Sequence, residues 1–302
     1  MIVILGPTAC GKTKLATTLA SVLDGEIISA DSRQVYRGMD IGTGKDLSDY
    51  QADGKNIPYH LIDIVDPGYE FSLFDFQEHF YQSYKDVVQR KKMPILCGGT
   101  GLYIESILKS YSLLKVPENE ILRSELESKE LMDLVELLKT YRKVHNTTDI
   151  VDKRRLIRAI EIEKYSLEHP EAKKEFPKIK SLVFGINPGR EIVRKRITNR
   201  LNQRLQEGMV EEVQQLIKSG VSHDTLEFYG LEYKFISQFL QEKISFEEMK
   251  LRLNIAIHQF AKRQMTFFRR MEKNDIRIHW IDPQISLEEQ IQFILSFAKN
   301  QL

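Results

Sequence analysis

Only two of the 302 residues are cysteine, Cys10 and Cys97. With one of them inside a loop motif and the other 87 positions on, they exclude a disulfide framework and a four-ligand Cys/His zinc site of the usual spacing. The single tryptophan, Trp280, and the seven scattered histidines form no metal-ligating or catalytic constellation. No apolar run approaches the ~20 residues of a membrane span. No charged leader precedes a signal-type segment, because the first apolar run begins at Ile2. No membrane partner and a cytoplasmic location are therefore expected. Low-complexity tracts and fixed-period repeats are missing too. A hydrophobic content of 42% with 29% charged residues describes a globular chain long enough to bury a substantial core. The net charge of +1 says nothing by itself about polyanions, but its distribution is uneven. Residues 153–206 hold 15 Lys/Arg against 6 Asp/Glu, which is +9, so the rest of the chain carries −8. A block of this kind is either a solvated helix face or a surface for a polyanion.

Against these absences, one motif is complete. Gly6-Pro7-Thr8-Ala9-Cys10-Gly11-Lys12-Thr13 follows the apolar run Ile2 to Leu5 directly and precedes a helical stretch, Lys14 to Leu23. The spacing G-x-x-x-x-G-K-T suits a turn whose backbone N–H groups point at phosphate oxygens, with the positive end of the following helix behind them. Lys12 is placed to meet the terminal phosphate and Thr13 to hold Mg²⁺. A bound phosphate or diphosphate follows, with its identity left open.

The rest of the first third alternates strand-like and helix-like segments: Glu26 to Ala30, Tyr59 to Ile64 and Pro94 to Cys97 are further expected strands. The fold class is α/β, a P-loop NTPase-like parallel sheet core carrying a helical insertion domain. After Leu114 the pattern turns helical and charged, through Glu125 to Arg142 and Asp152 to Tyr165. A polar stretch around Pro170 to Lys180 follows, and the apolar run Ser181 to Ile186 then returns to the sheet. The expected division is a catalytic core of residues 1–114 and 181–302 with an insertion at 115–180. From Arg190, Val193, Ile197, Leu201 and Leu205 repeat at i+4 and define a buried stripe. Arg196, Arg200 and Arg204 repeat likewise on another face, and two more helical stretches, Phe246 to Arg270 and Leu287 to Phe297, complete the chain.

In open α/β sheets ligands bind beyond the carboxyl ends of the strands, so Asp31 and Gly98-Gly99-Thr100-Gly101 should converge on the phosphate loop. Asp31 could order Mg²⁺ water, bind a substrate hydroxyl or accept a proton, or it could simply cap a turn. At the second corner, Gly98, Gly99 and Thr100 stand where a P-loop ATPase commonly places a Mg²⁺-ordering Asp. This weakens a γ-phosphoryl-transfer reading and suits close approach to a diphosphate. Thr100 as a plain helix cap is the alternative. Lys262-Arg263-Gln264 followed by Phe267, Phe268, Arg269 and Arg270 interleaves cations with aromatics, as phosphates and stacked bases require, although an amphipathic core helix reads the same way.

Taken together, these blocks resemble tRNA dimethylallyltransferases, also called tRNA isopentenyltransferases, of the bacterial type. The resemblance rests on Gly6 to Thr13, on Ser29 to Thr43, on Gly98-Gly99-Thr100-Gly101-Leu102-Tyr103, on Arg154-Arg155-Leu156-Ile157-Arg158-Ala159 and on Lys262-Arg263-Gln264, in the family's order along nearly the whole chain. It implies transfer of a dimethylallyl group from dimethylallyl diphosphate to the exocyclic amine of the adenosine 3′ of the anticodon, in tRNAs reading codons that begin with U. By position, the loop Gly6, Pro7, Thr8, Ala9, Cys10, Gly11, Lys12 and Thr13 holds the diphosphate. Asp31 takes the amine proton, while Lys12, Thr13 with Mg²⁺, Thr100 and Arg200 stabilise the leaving group. Asp31, Ser32, Arg33, Gln34, Thr100, Arg123, Arg154, Arg155, Leu156, Ile157, Arg158, Lys262, Arg263, Gln264 and Arg269 match RNA-contacting positions, with the tRNA anticodon stem-loop as partner and a monomer as the expected state. The acceptor base must leave the loop stack to reach such a site.

Two departures stand out. Where bacterial members often carry an R-x-x-G-Y-R-like block, this chain has Glu227-Phe228-Tyr229-Gly230-Leu231-Glu232, and His258-Gln259 replaces a common Arg-Gln pair. Three competing readings remain: an isopentenyltransferase of free adenine nucleotides, a P-loop small-molecule kinase, and a nucleotide-gated RNA-binding module without group transfer.

Overall fold

The computed structural model describes residues 1–52, 54–142, 152–170 and 175–301. It forms two compact units, one of Met1–Lys109 with Lys178–Leu302 and one of Ser110–Pro177.

Along the chain, β1 (Ile2–Leu5) leads through the phosphate loop into α1 (Lys12–Leu23) and β2 (Gly25–Ala30). A small hairpin, β3 (Gln51–Ala52) with β4 (Lys55–Asn56), precedes β5 (Tyr59–His60), α2 (Leu73–Gln89), β6 (Met93–Gly98) and α3 (Gly101–Leu108). The second unit contributes α4 (Glu120–Glu127), α5 (Leu131–Tyr141) and α6 (Lys153–Glu168). The chain then returns through β7 (Leu182–Ile186) to α7 (Arg190–Gln206), α8 (Met209–Lys218), α9 (His223–Tyr229), α10 (Leu231–Leu240), α11 (Phe246–Lys273), β8 (His279–Ile281) and α12 (Leu287–Gln301).

Six strands pair in the order β5-β2-β6-β1-β7-β8, all parallel. Both faces are covered, and the sequence of β1 shows why. All four residues are apolar and buried, with Val3 and Leu5 joining one core cluster and Ile2 and Ile4 the other. The Ile2 side is closed by Leu15 and Leu19 of α1 and Ile291 and Ile294 of α12. The Val3 side is closed by Phe76 and Phe80 of α2, Ile104 of α3, the stripe Val193, Ile197 and Leu201 of α7, and Phe268 of α11. Each such fully buried side chain contributes roughly 1.5–3 kcal/mol. Leu205, the fourth residue of that stripe, is only partly buried.

Register fixes the position of the site. Leu5 and Ala30 both pair with Gly98, so β1, β2 and β6 end level. The order places β6 between β1 and β2, while β7 lies on the other side of β1, which makes the β1–β6 boundary the switch point of the sheet.

The structure departs from the sequence reading in three places. The strand expected over Tyr59 to Ile64 stops at His60, because Leu61 (φ 63) and Asp63 (φ 56) take left-handed backbone. The helical run expected from Glu125 to Arg142 is two helices, since Ser128 caps α4 and the extended Glu130 (φ −70, ψ 153) starts α5 afresh. The edge strand β8, three residues around Trp280, has too little alternation to be read from sequence. Of the polar stretch Pro170 to Lys180, residues 171–174 lie outside the described residues.

In the second unit Leu122, Leu126, Leu134, Val135, Leu138, Leu156, Ile157 and Ile160 form one core. Against it sits the carboxylate of Glu161, 2% exposed, which accepts the Asn119 N–H and bonds from Arg123 and Arg158. Burial works to raise its pKa, but the Arg123, Asn119 and Arg158 bonds outweigh it and hold the carboxyl below the ordinary range.

Candidate active site

The phosphate loop leaves β1 at Gly6 and turns through two left-handed residues, Ala9 (φ 60) and Gly11 (φ 95). A non-glycine residue at such a φ stores backbone strain of the kind that clusters at ligand sites. The N-terminus of α1 has no side-chain cap and no acidic residue in its first turn. Its first N–H groups and the positive dipole end are thus left to an anion. The Lys12 ammonium donates to the Pro7 carbonyl at 3.3 Å, and Arg196 of α7 donates to the Cys10 carbonyl at 3.2 Å. Both thiols are buried; burial pushes Cys10 up and Cys97 up to about 12, so neither supplies a thiolate.

Asp31 follows the last residue of β2, half-buried, and its Oδ1 accepts the Arg33 N–H at 2.9 Å. The Thr100 hydroxyl caps no helix. It accepts the Ser32 N–H at 3.1 Å and so ties the corner after β6 to the corner after β2. The glycines beside it answer to packing within the protein. A Cβ on Gly98 would lie 2.2 Å from the Ala30 carbonyl oxygen and one on Gly99 2.4 Å from the Gln264 amide. Gln264 is buried on α11, accepts the Thr8 N–H at 2.8 Å through Oε1 and donates Nε2 to the Gly99 carbonyl at 3.0 Å. One side chain therefore couples the phosphate loop to the glycine corner, and both ends of its amide are engaged.

The third wall comes from α7. Arg200 and Arg204 reach the same carboxylate, Asp46, Arg200 through a charge-assisted bond and Arg204 at 3.3 and 3.4 Å. With Thr8, Ala9, Ile197, Leu201 and Glu232 they line one cleft. Glu232, the carboxylate standing where a cation was expected, enters it from α10, and burial raises its pKa. The loop bearing Asp46 is itself fixed. Glu212 of α8 accepts the N–H groups of Asp40 (2.8 Å), Ile41 (2.7 Å) and Gly42 (3.0 Å), and the buried Lys45 ammonium donates to Tyr36 O, Asp40 and Asp63.

The residues matched to RNA contacts divide by environment. Lys262, Arg263 and Arg269 are exposed along α11. Arg33 lies over the Phe228 ring at 5.6 Å, and Tyr229 packs on Tyr36 at 4.4 Å, so the divergent Glu227-Phe228-Tyr229 block supports Arg33 by aromatic contact. Gln34 is held internally, accepting from Ser29 and donating to the Gly44 carbonyl. His258 lies 3.4 Å from the Thr198 hydroxyl and 3.3 Å from the Arg194 carbonyl. Within the second unit Arg154 and Arg155 are exposed, Arg123 and Arg158 are bound to Glu161, and the side chains of Leu156 and Ile157 are core. Sequence reasoning missed Asp46, Glu212, Phe228 and Glu232 as parts of this site. Only the i+4 repeat Arg196, Arg200, Arg204 signalled that α7 faces it.

Three comparisons bear on this arrangement. The model of the IPP transferase family matches residues 34–271. Over 301 residues, all of this chain and 98% of the relative, the sequence is 55% identical to tRNA dimethylallyltransferase 2 of Phocaeicola vulgatus. Over 302 residues, with the same coverage, it is 53% identical to tRNA dimethylallyltransferase 1 of Parabacteroides distasonis. The crystal structure of the full-length tRNA isopentenylpyrophosphate transferase of Bacillus halodurans superposes with a TM-score of 0.72 at 32% identity, covering 99% of this chain and 95% of that one. A eukaryotic dimethylallyltransferase acting on tRNA shares the fold, with a TM-score of 0.77 at 24% identity over 100% of this chain and 80% of that one.

Proposed function

This chain belongs to the IPP transferase family, and from that premise we propose that it is a tRNA dimethylallyltransferase, moving a dimethylallyl group from dimethylallyl diphosphate to N6 of adenosine-37, beside the anticodon, in tRNAs reading codons that begin with U. The observation that carries the reading is the meeting of the phosphate loop, Asp31 and Thr100 at the level ends of β1, β2 and β6, in a chain similar along its whole length to tRNA dimethylallyltransferases.

An aromatic amine is a weak nucleophile, so the leaving group must be stabilised as the C–N bond forms. The loop N–H groups, Lys12 and Arg200 neutralise charge growing on the departing diphosphate. An allylic carbon tolerates a loose transition state, so positioning and charge neutralisation suffice. The Asp31 carboxylate accepts the amine proton. Thr100 holds the Ser32 backbone, and with it the Asp31 corner, at a fixed distance from the glycine turn.

Thr13 fits Mg²⁺ by the chemistry of its donor: a hard hydroxyl oxygen in the first turn of a helix with no side-chain cap. With the donor bound, the Thr13 hydroxyl would hold Mg²⁺ beside the diphosphate. There the ion would supply further neutralisation of the leaving group. The exposed cations Arg154, Arg155, Lys262, Arg263 and Arg269 would take tRNA phosphates. We place the protein in the cytoplasm and read it as a monomer.

The test is to incubate the protein with Mg²⁺, dimethylallyl diphosphate and unmodified tRNA, beside tubes offering AMP in place of tRNA and ATP with a nucleoside. Products are digested for nucleoside mass analysis. Dimethylallyl-adenosine from the tRNA tube alone is expected. Product from AMP, phosphorylation from ATP, or no product at all would each replace the reading with one of its competitors.

A further inference from the structure

Arg204 is a cation that the reaction as described leaves without a role. Its side chain is only 12% exposed, yet among the described residues its one ion-pair partner is Asp46, an anion it shares with Arg200. Burial and the neighbouring Arg200 charge both lower its proton affinity. Two guanidinium groups one helical turn apart repel, and a single shared carboxylate, Asp46, offsets only part of that charge. Their tips converge on bare backbone: a Cβ on Gly44 would lie closer than 3.0 Å to an Nη2 of each. Gly44 itself sits at φ +71, so the loop is shaped to receive both groups.

The remaining walls show where that charge belongs. Thr8 and Ala9 of the phosphate loop line the same cleft as Arg200 and Arg204, so both arginines border the loop. Asp46 is half-exposed and touches the pair from without. Glu232 lines the cleft but makes no ion pair with either guanidinium among the described residues, and with Arg204 and Arg200 it is coupled through space. Two guanidinium groups and two carboxylates therefore meet at one edge of the cleft, with Arg204 coupled to both Asp46 and Glu232.

We infer that Arg204 is a second diphosphate-binding guanidinium, acting beside Arg200, and that Glu232 is a positioning residue that sets the orientation of Arg204. The inference rests on the reading of the loop as a diphosphate site. Calorimetric titration with Mg²⁺-diphosphate and with Mg²⁺-dimethylallyl diphosphate tests it. Arg204→Gln should weaken both ligands by ~10-fold or more, while tRNA affinity stays within about twofold. Glu232→Gln should raise KM for the donor by a smaller factor, with KM for tRNA unchanged. Arg204→Lys keeps charge and stem but loses the planar fork, so its affinity should fall between parent and Arg204→Gln. A parent protein that binds neither ligand overturns the diphosphate site and this inference together. A parent that binds, with Arg204→Gln binding equally, overturns the role of Arg204 alone. So does an unfolded Arg204→Gln beside an Arg204→Lys that binds as tightly as the parent, because Arg204 is then structural.

Discussion

Asp31 does two things with one carboxylate, and the two can be separated. Its Oδ1 holds the Arg33 N–H, which shapes the corner, and its charge is the proposed proton acceptor. Asp31→Asn keeps an oxygen for the Arg33 N–H and removes the basicity; Asp31→Ala removes both. Each should lower product formation by ~10²-fold or more with tRNA affinity nearly intact, and an unchanged rate in the Asn variant takes proton transfer away from Asp31. The arginines of α6 can be sorted in the same way. Arg154 is exposed, so Arg154→Ala should weaken tRNA binding and reduce its salt slope by about 1 without moving the melting temperature. Arg158 is committed to Glu161 and the Val116 carbonyl, so Arg158→Ala should cost stability first. Gln264→Leu deprives both the Thr8 N–H and the Gly99 carbonyl of partners and should cost about 1–3 kcal/mol in a thermal melt.

Among the elements, a buried carboxylate ties α4 to α6 of the second unit, beside their shared apolar core and the Lys153–Glu127 contact. Glu161 accepts the Asn119 N–H that begins α4 and pairs with Arg123 on α4 and Arg158 on α6. Its pKa lies below the ordinary glutamate value of 4.5, so the folded state binds the proton less readily than the unfolded chain. The stabilisation it brings is fully present above that value and is lost as the pH falls through the lowered folded pKa. Glu161→Gln should therefore destabilise the second unit by about 1–3 kcal/mol at pH 7, the arginine partners being partly exposed and screened. That deficit should shrink steadily as melts are repeated at acid pH below 4.5. A deficit independent of pH would mean that Glu161 acts by packing and not by charge.

For the whole molecule, a net charge of +1 hides a segment at +9, and polyanion binding follows the segment. With about four phosphate contacts, tRNA affinity should fall on the order of 10²-fold between 50 and 200 mM salt. Dimethylallyl diphosphate binding, confined to the cleft, should change far less. A flat salt response for tRNA would remove the basic segment from the interface.

The sequence by itself determined the features that are local in the chain. The apolar run, the spaced glycines and Lys12-Thr13 are contiguous, so they specify strand, turn and helix start without help from distant residues. The same holds for the placement of Asp31 after a buried strand, and for a sheet whose strands are apolar on both faces. Tertiary structure alone decided which side chains serve which corner. Ser32 and Thr100 are 68 positions apart and Thr8 and Gln264 are 256 apart. They meet because β1, β2 and β6 end in register with α11 packed across them. Periodicity cannot show that Gln264 faces inward with both amide ends bound, or that Leu156 and Ile157 are core while Arg154 is exposed. Nor can it show that Arg204 and Glu232, from two different helices, line one cleft with the phosphate loop. Those assignments depend on the packing of helices far apart in sequence, which a local pattern does not encode.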